Sequence, residues 1–419
     1  MPKLGDGIDA VTAFTGAVVA GMALFLPFTF STAESLGSPY RVASLVNSVP
    51  RAAALGLIVA VCVAVLVRPL SRPGLVWLSA ACGSLVLAIN YFIGRTVTSA
   101  DVLTTQNYID ALSGGVVYGT LGICALRRRW SAVGFALGTM VVFVYGEVSS
   151  NIETASKAVS TPPWLIVLAV VLLVVNTLRH RHGIMLPVAT RLAADLPISP
   201  IVAATLLSLS ALLATEWLSN EFDGQRADFW SVSLAVTVSI VTAFLAAVLL
   251  PGRDGVGVLL AIAVAAAADS LGDAPSLGWS LPLVLAVATA GIFAGLHWPT
   301  PWLVLLGAAV ICAYATVADR LPWSYSWTLG TVLLACVAGY AFGSIRSSYL
   351  PSAVLGLGAL FLPSIVWAIP TDLRNWPVGG PTADDATPGR AAFAITAGAA
   401  AALLLLLRIR PNTADAAEL

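Results

Sequence analysis

Three apolar runs of this chain end in the same polar way. YGEVSSN sets Glu147 four residues before Asn151, ATEWLSN sets Glu216 four before Asn220, and ADSLGD sets Asp269 four before Asp273. Residues four apart share one face of a helix, so each pair presents a carboxylate and a second polar side chain together. A ring of such acids, forming an outward-facing vestibule, would bind a cation, a polyol or a sugar head-group. The plainer reading is helix termination, because Asn and Ser favour leaving a helix and an interfacial Glu is solvated. Against that reading, a carboxylate in a last turn faces the negative end of the helix dipole, at a cost of about 0.3–1 kcal/mol. Glu is also scarce: the chain has six, and two stand in this one context.

Other chemistries find less support. No GxxxxGK[ST] occurs, and the only lysines are Lys3 and Lys157, which excludes a phosphate-cradling P-loop. The three histidines are His180, His182 and His297. The first two lie in RHRHG, where neighbouring Arg would repel a metal cation, and no HExxH or GxSxG is found. Cys62, Cys82, Cys124, Cys312 and Cys336 sit in apolar runs without a CxxC and read as small core residues. No metal, cofactor or catalytic residue is therefore expected. One enzymatic alternative remains, a glycosyltransferase using a polyprenyl-phosphate sugar, with Glu34 in the first polar connection as general base. A third reading is a non-catalytic membrane subunit of a secretion or envelope-assembly complex.

The elements that must position these residues follow from composition. The 419 residues are 58% hydrophobic and 10% charged, with a mean hydropathy of +0.92, where soluble domains are about 25% charged. Such a chain cannot cover a water-facing surface, so its main partner is the lipid bilayer. A net charge of zero argues against nucleic acid. A spanning helix needs about 20 mostly apolar residues. Fourteen runs qualify or nearly do: roughly 10–30, 52–70, 74–94, 109–126, 131–149, 163–178, 200–218, 229–250, 255–271, 280–296, 301–318, 326–345, 352–369 and 391–407. The run at 109–126 starts beside Asp110, and 280–296 and 301–318 are joined by only four residues, as a re-entrant hairpin would be. The expected fold is an all-α polytopic membrane protein, a bundle of 12–14 transmembrane helices.

Charge sets the expected orientation. With the N-terminus inside, the inner connections hold 13 basic residues and 6 acids, and the outer ones hold 8 and 15. The excess of Lys and Arg orients a multi-pass protein, so both termini are expected to be cytoplasmic. MPKLGDGIDA makes a poor signal peptide and reads as part of a retained first helix. The chain is expected to be a single integral membrane domain, 1–419, with halves 1–178 and 200–419 joined by a cytoplasmic loop at 179–199. Gly115-x-x-x-Gly119 and Gly339-x-x-x-Gly343 are helix-packing faces. The charged residues of the runs cluster at outer ends, Asp110 among them, with none at a midpoint. That pattern counts against a simple proton antiporter. The connection VRPLSRPG lacks the acid and basic run expected in the signature loop of major-facilitator carriers. Short loops and the lack of room for a soluble domain favour a transport or translocation protein. The bias of 19 Arg to 2 Lys suggests a bacterial inner membrane. The substrate would be a polar or lipid-linked cell-envelope intermediate, and membrane-protein partners are left open.

Overall fold

The computed structural model describes residues 4–25, 39–70, 72–94, 100–149, 163–181, 198–224, 226–271, 280–317, 326–345, 347–369 and 387–410. These form fourteen α-helices and two short 3-10 turns, with no strand among the described residues. The helices are α1 Leu4–Phe25, α2 Pro39–Val67, α3 Pro73–Gly94, α4 Ala100–Ala125, α5 Arg129–Ser149, α6 Pro163–His180 and α7 Ser199–Asp223. They continue with α8 Phe229–Leu249, α9 Val256–Ser270, α10 Ser280–His297, α11 Pro301–Ala315, α12 Ser326–Ser344, α13 Leu350–Gly358 and α14 Thr387–Ile409. Among the described residues nine segments are long and apolar enough to cross a membrane, and five shorter apolar helices accompany them.

The distribution of side chains fits lipid as the solvent. Helix α6 buries Ile166, Ala169, Leu173 and Asn176, and exposes Val167, Leu168, Val171, Val174, Val175 and Leu178. In water that arrangement would leave a bare apolar stripe; in a bilayer it is the stable one. Trp164, Trp230 and Trp298 are exposed at helix ends, where aromatic belts form. This is a multi-pass α-helical membrane protein.

The chain divides into two compact units, Met1–Ile201 and Val202–Leu419. In the first, α1 packs on α5, α2 on α4, α3 on α6 and α1 on α6. In the second, α9 packs on α13, α10 on α12, α11 on α14 and α9 on α14. The pairing pattern of α1–α6 thus recurs in α9–α14, with α7 and α8 standing between the two sets. Because α10 packs on α12 while α11 packs on α14, α9 and α12, the two belong to the bundle as separate helices rather than as a hairpin.

Glycine makes the closest pairings possible. A Cβ on Gly115 or Gly119 would collide with the carbonyl oxygens of Gly56 or Ala60 on α2. Likewise a Cβ on Gly339 or Gly343 would collide with the carbonyls of Ala288 or Ile292 on α10, and Gly291 and Gly295 return the contact. Both expected glycine faces are therefore seams between backbones, and each seam lies within one unit.

Polar latches close the same end of each repeat. In the first unit Asp9 of α1 accepts from Arg128, just before α5, at 2.9 Å and from Arg179, at the end of α6, at 3.0 Å. His180 lies 3.2 Å from the same carboxylate and stacks on Trp77. These partners explain why α1 starts at Leu4, ahead of the apolar run: they satisfy acids that otherwise would lie against lipid. In the second unit Asp254, just before α9, accepts from the backbone N–H of Ser348 at 2.7 Å and of Tyr349 at 2.9 Å, just before α13. Arg410, after α14, donates to the carbonyls of Val248, Leu250 and Gly252. The turn that presents Asp254 needs Gly252, which sits at φ +57°, a conformation open to glycine at little cost.

Candidate functional site

Helix α13 ends within its apolar segment. It passes into a 3-10 turn at Ala359–Phe361, and the chain is then extended at Leu362 and Ser364 before a second 3-10 turn, Ile365–Ala368. The sequence reason is Pro363, which has no N–H to give and restricts the residue before it to extended backbone. The whole stretch Leu350–Ala368 is apolar enough to span, and 78% of it is buried. Non-helical backbone at membrane depth is tolerated only where protein or a cavity covers it, and both conditions hold here. Leu362 N–H reaches Ala359 O at 3.2 Å, and the N–H of Val366 reaches Ser364 Oγ at 3.2 Å. Ser364 lies beside Asp269 of α9, with its backbone N–H and hydroxyl on the side of that carboxyl.

A cavity of ≈ 40 Å³ lies at the break, lined by Leu207 and Ala211 of α7, Ser239 and Thr242 of α8, Ala265 of α9 and Ser364 itself, among others. It holds a few waters at most; no sugar ring fits in this conformation. Nearby, Cys312 of α11 is 3.7 Å from Thr396 Oγ1 of α14. The break thus sets the hydroxyls of Ser239, Thr242 and Ser364 around a small cavity, with the half-buried carboxyl of Asp269 beside Ser364. Among the described residues no group of three His, Cys, Asp or Glu is placed to hold a metal.

The expected site residues fall out as follows. Asp269 is half-buried in α9, one residue from its end, and lies beside Ser364. Glu216 is half-buried and Asn220 exposed, both inside α7, which continues to Asp223. Helix α7 runs three residues past Asn220, so ATEWLSN lies within its last turns. Glu147 lies in α5, two residues before its end, and belongs to the other unit. Asn151 and Asp273, like Glu34 of the enzymatic alternative, lie outside the described residues. Sequence reasoning missed Ser364, taking 352–369 as one continuous run; the signal was Pro363 in its middle.

A second polar cluster corrects the sequence reading of Asp110. Helix α4 begins at Ala100, so Asp110 is not at its end but within one turn of its midpoint, and it is fully buried. Asn90 of α3 donates to Asp110 Oδ1 at 2.8 Å and to the backbone carbonyl of Gln106 at 3.0 Å. Asn107 donates to Ser48 of α2 at 2.8 Å. Each buried hydrogen bond of this kind contributes roughly 0.6 kcal/mol within a membrane. Apolar-run counting could not see this helix start, because Gln106, Asn107 and Asp110 are polar residues that α2 and α3 bury.

No family model matches the chain, and no curated protein matches it in sequence. Among solved structures it is similar to the human organic anion transporter MFSD10 (TETRAN), at 14% identity and a TM-score of 0.49, over 97% of this chain and 100% of that one. It is also similar to the POT family transporter PepTSo, at 13% identity and 0.44, over 96% of each chain. The nucleoside transporter NupG follows at 16% and 0.39, over 98% of this chain and 100% of the other. All three lie below a TM-score of 0.5 and below 20% identity, so the functional reading rests on this chain's own residues.

Proposed function

We propose that this protein is a carrier or flippase of a bacterial inner membrane, with both termini cytoplasmic, moving a polar or lipid-linked cell-envelope intermediate. The observation that carries the reading is the broken helix at Leu362–Ser364, whose Ser364 lies beside Asp269 and lines a small, mainly apolar cavity together with Ser239 and Thr242. Discontinuous spanning helices supply binding groups in transporters, because their interrupted backbone has donors and acceptors to give away from lipid. Asp269 and Ser364 are the proposed core of the binding region. Glu216 and Asn220, with Asp273 of the same unit, and Glu147 and Asn151 of the other, are proposed to contribute at the outer membrane surface, which the charge asymmetry assigns to them.

The test is complementation of a depletion strain. Asp269→Asn and Ser364→Ala should each fail to restore growth or envelope integrity while the protein accumulates normally. A Glu147→Gln/Glu216→Gln double variant should be similarly crippled if the outer acids take part. Full complementation by Asp269→Asn and Ser364→Ala together would sink the assignment of the break as the binding region.

A further inference from the structure

The buried cluster in the first unit has two oxygens with nothing to bond. Asp110 Oδ2 and Gln106 Oε1 are both buried and have no hydrogen-bond partner among the described residues. Asn90 cannot supply them, since both contacts of its amide are made, one to Asp110 Oδ1 and one to the Gln106 backbone. Gln106 precedes Asp110 by four residues on α4, so the two side chains share a face. Asp110 Oδ2 has no donor from the surrounding side chains, and the Gln106 amide on the same face can turn either its oxygen or its N–H₂ toward it. A proton placed on Asp110 Oδ2 makes that atom a donor and leaves the Gln106 oxygen as its acceptor.

We propose that Asp110 and Gln106 form a proton-binding site. On the carrier reading, proton uptake and release at this site couples the transport cycle to the proton gradient. A metal cation fits less well. Two free oxygens beside amide donors are too few to replace a hydration shell, whereas a proton needs one donor and one acceptor. No cation on the surrounding helices pairs with Asp110 among the described residues. Of the helices packed on α4, α3 carries no charged residue and brings Tyr91, while α2 carries Arg41 near its start and Arg51, which is exposed. Helix α1 holds Asp6 and Asp9 in its first turns, bound at the latch, and α5 holds Arg129 at its start and Glu147 near its end. On α4 itself the other titratable groups of this half are Asp101 and Tyr108. The earlier objection to proton coupling, that no run carries a charge near its midpoint, is removed by the position of Asp110.

The experiment is infrared spectroscopy of the full chain in lipid nanodiscs across a pH series, on wild type, Asp110→Asn and Gln106→Leu. Wild type should show a protonated-carboxyl C=O band that disappears reversibly as pH rises. Asp110→Asn should lack that band, and Gln106→Leu should shift its frequency because the acceptor is gone. Identical titrations of wild type and Asp110→Asn would overturn the proposal. So would a wild-type band that responds to sodium instead of pH. Should Asp110→Asn fail to fold, the frequency shift in Gln106→Leu decides alone, and no shift overturns the site. Coupling is read separately, as loss of complementation by Asp110→Asn in the depletion strain; full complementation would overturn the coupling. If depletion itself changes no envelope precursor, the carrier reading fails, and the infrared result still judges the proton site independently.

Discussion

Asp9 is the residue on which the first unit's latch converges, with Arg128, Arg179 and His180 all within 3.2 Å. Asp9→Ala strands three cationic or polar partners. Losing one member of a buried pair costs about 3–5 kcal/mol, and solvent screening of the exposed partner lowers that toward roughly 1–3 kcal/mol here. Arg128 is 54% exposed and Arg179 31%, so thermal unfolding in detergent should show Arg128→Ala losing less than Arg179→Ala. Asp254 gives a pH prediction. Burial pushes its carboxyl above the ordinary carboxylate range, and the Ser348 and Tyr349 N–H groups offset this only in part. With the folded value raised, the stabilising contribution is complete below the unfolded value and is lost as pH rises through the folded one. Wild type should therefore lose thermal stability relative to Asp254→Asn as pH climbs from the usual carboxylate value upward; parallel curves would contradict this. At the helix break, the sequence singled out Asp269 but not Ser364 as a functional candidate. Ser364, beside it in the fold, lies 95 positions away in the chain, a distance that no local spacing reveals.

At the scale of elements, glycine seams and the helix break make opposite demands. The seams require that nothing be added. Gly339→Leu or Gly343→Leu would drive a side chain into the α10 backbone, at a cost of about 1–3 kcal/mol or more. Gly7→Ala, which meets nothing within 4 Å, is the control expected to change little, and both are checked by detergent thermal unfolding. The break requires the reverse, that the helix not be completed. Pro363→Ala restores an N–H and permits regular helix through Leu362–Ser364, so it should keep or raise thermal stability while abolishing complementation. The glycine faces were legible because small-x-x-x-small spacing is a local pattern. The start of α4 was not, because its first turns are polar and become helical through burial against α2 and α3. Nor was the break, since an apolar run containing one Pro has the same hydropathy whether the helix continues or stops.

At the scale of the whole molecule, the number of helices could be read from apolar runs, because hydropathy and a fixed hydrocarbon thickness leave few solutions. The recurrence of the α1–α6 pairing pattern in α9–α14 could not, since the two sets share contact order and latch position rather than sequence. That recurrence puts Asp9 and Asp254, and Arg179 and Arg410, in equivalent places. Orientation remains a prediction from charge: reporter fusions at both termini should report the cytoplasm. The central claim, that the chain moves an envelope intermediate across the membrane, is tested most directly by depleting the protein and profiling lipids and glycolipids in each leaflet. The account predicts accumulation of one polar or lipid-linked precursor on the inner leaflet, restored by wild type and not by Asp269→Asn. Unchanged levels of every envelope precursor in both leaflets would contradict it.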